Sequence, residues 1–103
     1  MSVLLEFAMF PTDKGSSVSE YVSRVIKMIK ESGVDYKLTP MGTIIETETM
    51  PEALNMVEKA YNILEPDSER IYSTLTFDIR KNKSDRLTQK IQSIENKIGK
   101  VSK

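Results

Sequence analysis

The sequence predicts an α+β fold: a four-stranded antiparallel sheet, two helices on one of its faces, and a further helix at the C-terminus. Three observations carry that expectation. Period-two alternation of apolar and polar residues appears in four short stretches. Two amphipathic helical stripes separate these stretches in the order β-α-β-β-α-β. Cap and breaker residues bracket both stripes. At 103 residues the chain is expected to be one domain, residues 1–103, with no room for a second core.

The first strand is expected over Val3 to Phe10, with Val3, Leu5, Phe7 and Met9 on one face and Leu4, Glu6, Ala8 and Phe10 on the other. Pro11 ends it. Ser17 with Glu20 three residues later is a capping-box pattern, so the first helix should begin there. Its stripe is Val18, Tyr21, Val22, Val25, Ile26 and Ile29, and Gly33 offers a left-handed stop. Asp35 to Thr39 is the second strand and Thr43 to Glu48 the third, turned at Pro40-Met41-Gly42. Thr49 with Glu52 repeats the capping pattern, with Pro51 in the first turn. Leu54, Val57, Ala60, Tyr61 and Leu64 are expected as the buried stripe of that helix, closed by Pro66. Arg70 to Lys81 is the clearest strand, with Ile71, Leu75, Phe77 and Ile79 alternating with Tyr72, Thr74, Thr76, Asp78 and Arg80. Ser84 is expected to cap a third helix, whose Leu87, Ile91, Ile94 and Ile98 form a narrow seam ending at Gly99. That seam suits either the chain's own sheet or a second subunit. The element order is that of a ferredoxin-like βαββαβ sandwich, which leaves the helix-free sheet face in need of cover.

Composition excludes more chemistry than it suggests. The chain has no Cys, so disulfides, thiolate metal sites and a Cys nucleophile cannot be built. It has no His, the usual proton carrier near neutral pH and the commonest zinc ligand. Fifteen basic residues balance fifteen acidic ones, so no net field gathers nucleic acid or anionic lipid. No apolar run approaches the ~20 residues of a membrane span. The start Met1-Ser2-Val3-Leu4-Leu5-Glu6 reads as a strand and not a signal peptide, and a cytoplasmic location is expected.

The most suggestive polar segment is Met41-Gly42-Thr43-Ile44-Ile45-Glu46. Gly42 gives the turn its freedom, Thr43 offers a hydroxyl, and Glu46 projects a carboxylate from a β-branched strand. The plainer reading makes Gly42 a turn residue and Glu46 a solvated strand position. Glu6 is exposed, paired with a base such as Arg80, or lining a pocket; buried, it would need a partner. Ser16, Ser17 and Ser19 open the first helix, where free N–H groups can hold an anion or a polar ligand edge, although capping explains Ser17. Asp78 and Arg80 could pair across strands. Tyr21, Tyr36, Phe10 and Tyr72 could stack on a flat ligand or simply fill the core. Glu46 and Glu48 are two apart but lack further oxygen ligands at metal-binding spacing, so no metal site is expected.

Pro11 followed by Ser17-Val18-Ser19-Glu20-Tyr21-Val22, then Pro40-Met41-Gly42-Thr43-Ile44-Ile45-Glu46, then Asp78-Ile79-Arg80, resembles the thiamine-binding protein family over nearly the whole chain. The resemblance implies ferredoxin-like subunits whose sheets associate into dimers and then tetramers. It also implies a site for thiamine or its pyrimidine portion near subunit contacts, with Thr43 and Glu46 at the family's polar positions and the helix-start serines as further candidates. A carboxylate such as Glu46 could accept from the aminopyrimidine, worth roughly 1.5–3 kcal/mol. An aromatic face could add about 0.5–2 kcal/mol against the thiazolium cation.

The resulting expectation is non-enzymatic binding of thiamine or a related pyrimidine by a homo-oligomer, a dimer of dimers, with no cofactor. The rival reading is a structural or regulatory oligomerisation module with no specific vitamin ligand. RNA binding ranks below both, because the polar face of the last strand offers Tyr72 with Thr and Asp, where RNA-binding sheets of this topology stack bases on aromatics in basic surroundings.

Overall fold

Alternation in the first ten positions produces β1 (Ser2–Pro11), the strand around which the rest is arranged. The computed structural model describes residues 1–100, with backbone alone at 88–91 and 93. After β1 come α1 (Val18–Ser32), β2 (Asp35–Thr39), β3 (Gly42–Thr47), α2 (Met50–Leu64), β4 (Ile71–Arg80) and α3 (Arg86–Ile98). The strands form one antiparallel sheet in the order β2-β3-β1-β4, the ferredoxin-like arrangement anticipated from the element order. Strand limits differ from expectation by a residue or so at their ends.

The odd-numbered face of β1 makes the core. Val3, Leu5, Phe7 and Met9 are buried there with Ile45 of β3, Val25 and Ile29 of α1, and Ala53, Met56, Ala60 and Leu64 of α2. Each large side chain removed from water contributes roughly 1.5–3 kcal/mol, which is why the period-two pattern fixes the register so firmly.

Three local expectations need correction. Ser17 precedes α1 as expected, but its side chain makes no capping hydrogen bond. A 3-10 turn over Gly15–Ser17 feeds directly into the helix, and the Ser17 N–H donates to the Lys14 carbonyl at 3.0 Å. The buried stripe of α2 is Ala53, Met56, Ala60 and Leu64, whereas Leu54 and Tyr61 are 48% and 47% exposed. The small Ala53 is fully buried where the larger Leu54 was expected to be, so size misled the phase. Finally, the residue preceding α3 is Asp85, at a positive φ of 53°, and not Ser84. Thr49 does cap α2: its hydroxyl accepts from the Glu52 N–H at 3.3 Å and donates to Glu52 Oε1 at 2.9 Å.

α3 touches β1, β2 and β3 and begins on the face opposite α1 and α2. Its seam is only partly covered, with Ile94 41% and Ile98 73% exposed; the Ile91 side chain lies outside the described residues. β4, at the sheet edge, has no buried residue at all.

Candidate functional site

Glu46 is not a solvated strand residue. It is 9% exposed, on the even-numbered face of the sheet, opposite Leu4 on one side and Asp35 on the other. Its Oε2 accepts from the Arg86 N–H at 3.0 Å and from the Ser2 hydroxyl, while Oε1 accepts from the Leu87 N–H at 3.3 Å. Those two N–H groups open α3, so a strand carboxylate supplies the cap that Ser84 was expected to give. The Arg86 side chain completes the cluster. Its Nε donates to Ser2 Oγ at 2.9 Å, its Nη2 to the carbonyls of Ser2 and Asp78, and its Nη1 lies 3.0 Å from Asp78 Oδ2. Asp78 thus pairs with Arg86, beyond the end of its own strand, and not across the sheet.

Burial pushes the Glu46 carboxyl up. The Ser2 hydroxyl, the N–H groups of Arg86 and Leu87 and the Arg86 charge more than offset this and hold its pKa below the ordinary carboxylate value. Nothing local in the sequence points to Ser2 or Arg86, because the bonds joining them span 84 positions. Arg86 reads there as one more charge in a solvated run.

At the other end of the sheet the β2–β3 hairpin leans on α1 and β1. Thr39 builds the turn: its hydroxyl donates to the Gly42 carbonyl at 2.7 Å and accepts from the N–H groups of Met41 and Gly42 at 3.2 and 3.1 Å. Gly42 passes so close to β1 that an added Cβ would lie 2.9 Å from the Phe7 carbonyl oxygen. Behind the turn is a hollow of 240 Å³, walled by Phe7 and Phe10 of β1, Val22 and Ile26 of α1, and Leu38, Met41 and Thr43 of the hairpin. Its surface is mainly apolar, with Thr43 buried in the wall and Met41 85% exposed at the mouth. That volume falls below the roughly 300–1,000 Å³ of pockets that enclose a drug-sized ligand.

The structure therefore gathers Met41, Gly42 and Thr43 around one hollow and sets Glu46 apart. Thr43 and Glu46 lie on opposite faces of β3, since their positions differ by an odd number. Glu6 is exposed in the middle of the even-numbered face, between Ile44 and Thr76, and Arg80 lies at the far end opposite Ser2. Ser17 and Ser19 are exposed at the start of α1. Tyr21 already faces two cations, Lys14 Nζ at 5.1 Å and the Arg24 guanidinium at 4.6 Å from its ring centre. Phe10 and Tyr72 form a tilted pair at 5.8 Å. Tyr36 packs against the core. Glu48 lies just beyond the end of β3. A staple joins the β1–α1 loop to the start of β4: Asp13 Oδ2 accepts from the Glu69 N–H at 3.0 Å, and that bond holds the Asp13 pKa below its ordinary value. Sequence reasoning missed the α1 wall of the hollow as a site feature, because Val22 and Ile26 read there only as core.

Comparison with known proteins agrees with this architecture. The thiamine-binding protein family matches residues 5–95, from β1 into α3. A UPF0045 protein of Methanothermobacter thermautotrophicus is 33% identical over 84 residues, covering 81% of this chain and 85% of that protein. A UPF0045 protein of Methanocaldococcus jannaschii is 32% identical over 92 residues, covering 89% and 91%. The crystal structure of the M. jannaschii protein matches with a TM-score of 0.79 at 31% identity, over 90% of this chain and 95% of that one. A Thermotoga maritima protein, provisionally assigned to thiamine biosynthesis or salvage, shares the fold at a TM-score of 0.79 and 20% identity, over 91% and 99%. With the family model matching residues 5–95 and relatives above 30% identity, the chain belongs to the thiamine-binding protein family.

Proposed function

We propose that this protein binds thiamine or a related pyrimidine without transforming it, as a carrier, sequestering protein or sensor. The observation that carries the reading is membership of the thiamine-binding family across residues 5–95. The hollow behind the β2–β3 hairpin supports it chemically: an apolar slot walled by Phe7, Val22, Ile26 and Leu38 suits a flat heteroaromatic ring, and the Thr43 hydroxyl can orient it. Glu46 keeps α3 on the sheet instead of meeting the ligand. Because the hollow is small and open, it takes the pyrimidine end, and a neighbouring copy in a homotetramer covers the rest. The Thermotoga neighbour's provisional place in thiamine biosynthesis or salvage fits the same ligand class. A non-enzymatic role is part of the proposal, in a chain lacking His and Cys. So is a cytoplasmic location; no described helix is long and apolar enough to cross a membrane.

Calorimetry with thiamine and with its isolated aminopyrimidine tests the reading. Both should bind, and Thr43→Val should weaken both several-fold, as loss of one hydrogen bond worth about 0.5–1.5 kcal/mol requires. Absence of heat at millimolar ligand would reject specific binding. The alternative, an oligomerisation module without a vitamin ligand, is favoured by one specific feature, the exposed strand β4.

A further inference from the structure

The even balance of charge conceals a segregation along the chain. Residues 1–78 carry thirteen acidic and seven basic side chains, whereas residues 79–103 carry eight basic and two acidic ones. Each part therefore holds an excess of six charges, of opposite sign. A neutral total does not describe the local field when the two signs occupy different parts of the molecule.

The basic part has a definite form. Arg80, Lys81 and Lys83 lie at the end of β4 and in the turn that leads to α3, and Lys97 and Lys100 lie at the far end of that helix, all exposed. Among the described residues none of these five forms an ion pair, while Arg86 is engaged by Asp78. Between the two basic ends runs a helix of 13 residues, about 20 Å long. It is strongly amphipathic yet polar on average. Leu87, Ile94 and Ile98 recur at steps of seven and four, which sets them along one face. The clasp of Ser2, Glu46 and Arg86 holds the first turn on the sheet. Leu87 is half-buried there, but Ile94 is 41% and Ile98 73% exposed.

We infer that the second half of α3, with the cations at its two ends, docks on an anionic lipid surface, sinking Ile94 and Ile98 among the headgroups while the basic side chains meet lipid phosphates. A helix of low average hydropathy with apolar and basic residues side by side lies in the plane of a bilayer, buried by roughly 5–10 Å. Each Lys or Arg near an anionic leaflet adds attraction. The acidic remainder of the chain is repelled by the same leaflet, which decides the end that faces it. This is attachment to a surface and not a span, since no described helix is long and apolar enough to cross a bilayer. Two other occupants fit less well. Thirteen residues hold fewer than two heptads, short of the roughly three to four over which a coiled-coil seam with a second copy is sustained. Nucleic acid would use the cations but leave the isoleucines wet, because phosphate contacts come from charged and polar groups. The docking needs no ligand in the hollow and is read without thiamine.

Flotation of the full chain with lipid vesicles tests the inference. Vesicles of equal parts phosphatidylcholine and phosphatidylglycerol should carry the protein, and phosphatidylcholine alone should not. Raising the salt from about 0.05 to about 0.5 M should cut the bound fraction roughly threefold or more. Lys97→Glu should weaken flotation several-fold, whereas Lys27→Glu, the same change of charge on an exposed position of α1, should leave it as it is. Ile98→Ser should weaken it roughly tenfold, through loss of apolar surface in the headgroup layer. Its sedimenting mass and far-ultraviolet dichroism should stay native, because a residue so exposed adds little to the fold. Equal flotation with neutral lipid, or a Lys27→Glu effect as large as that of Lys97→Glu, would overturn the docking. So would an Ile98→Ser variant that floats like the native protein, or one whose mass falls, which would give the seam to a second copy. Retention on single-stranded RNA that survives Ile98→Ser, without flotation, would give the surface to nucleic acid.

Discussion

At the scale of single residues, the Glu46 carboxylate ties the start of α3 to the sheet. It satisfies two N–H groups of α3 and the Ser2 hydroxyl while sharing a buried cluster with the Arg86 side chain. Its folded pKa is lowered, so its charge stabilises the fold above the ordinary carboxylate range. That contribution is lost as pH falls through the lowered folded value. Denaturant melts of the native protein should therefore show stability falling with acid, and Glu46→Gln should flatten that slope. Glu46→Ala should cost about 1–3 kcal/mol at neutral pH, because the α3 donors and Arg86 lose their acceptor. Gly42→Ala should cost a similar amount, about 1–3 kcal/mol, since the new methyl would meet the Phe7 carbonyl of β1 and the backbone must shift. The turn role of Gly42 was legible from Pro40-Met41-Gly42, whereas its approach to β1 was not, because that contact arises only when β3 lies against β1.

At the scale of elements, existence and order were legible while phase and capping were less so. α1 follows its expected stripe, with Val25 and Ile29 buried. In α2 the stripe is displaced onto Ala53 and Met56, because an apolar residue on either side of a helical seam satisfies the same period. The two capping patterns look alike as strings of residues but differ in the fold. Thr49→Ala should destabilise by about 1 kcal/mol, and Ser17→Ala should stay within about 0.5 kcal/mol of native. A pair of denaturation curves measures the difference. α3 shows the limit of local reading most clearly: its cap comes from β3, forty positions earlier in the chain.

At the scale of the whole molecule, the sandwich follows from element order, since few topologies accommodate β-α-β-β-α-β. The candidate site was legible only in part. Met41, Gly42 and Thr43 sit together because they are neighbours in sequence, but the hollow they share with Phe7 and Val22 is a product of packing. The described residues span 46 × 29 × 22 Å with a radius of gyration of 15.0 Å, against about 13 Å for a compact chain of this length. If the hollow binds thiamine, ligand at a hundred times its dissociation constant should stabilise the folded state by about 2.7 kcal/mol, a rise in melting temperature that Thr43→Val should reduce. The clasp of Ser2, Glu46 and Arg86 also has a bearing on biosynthesis. Because it links the second residue to the eighty-sixth, it cannot close while the ribosome still holds the last helix. Until that helix emerges, the nascent sheet keeps a hydrated carboxylate where the finished protein has a buried polar junction.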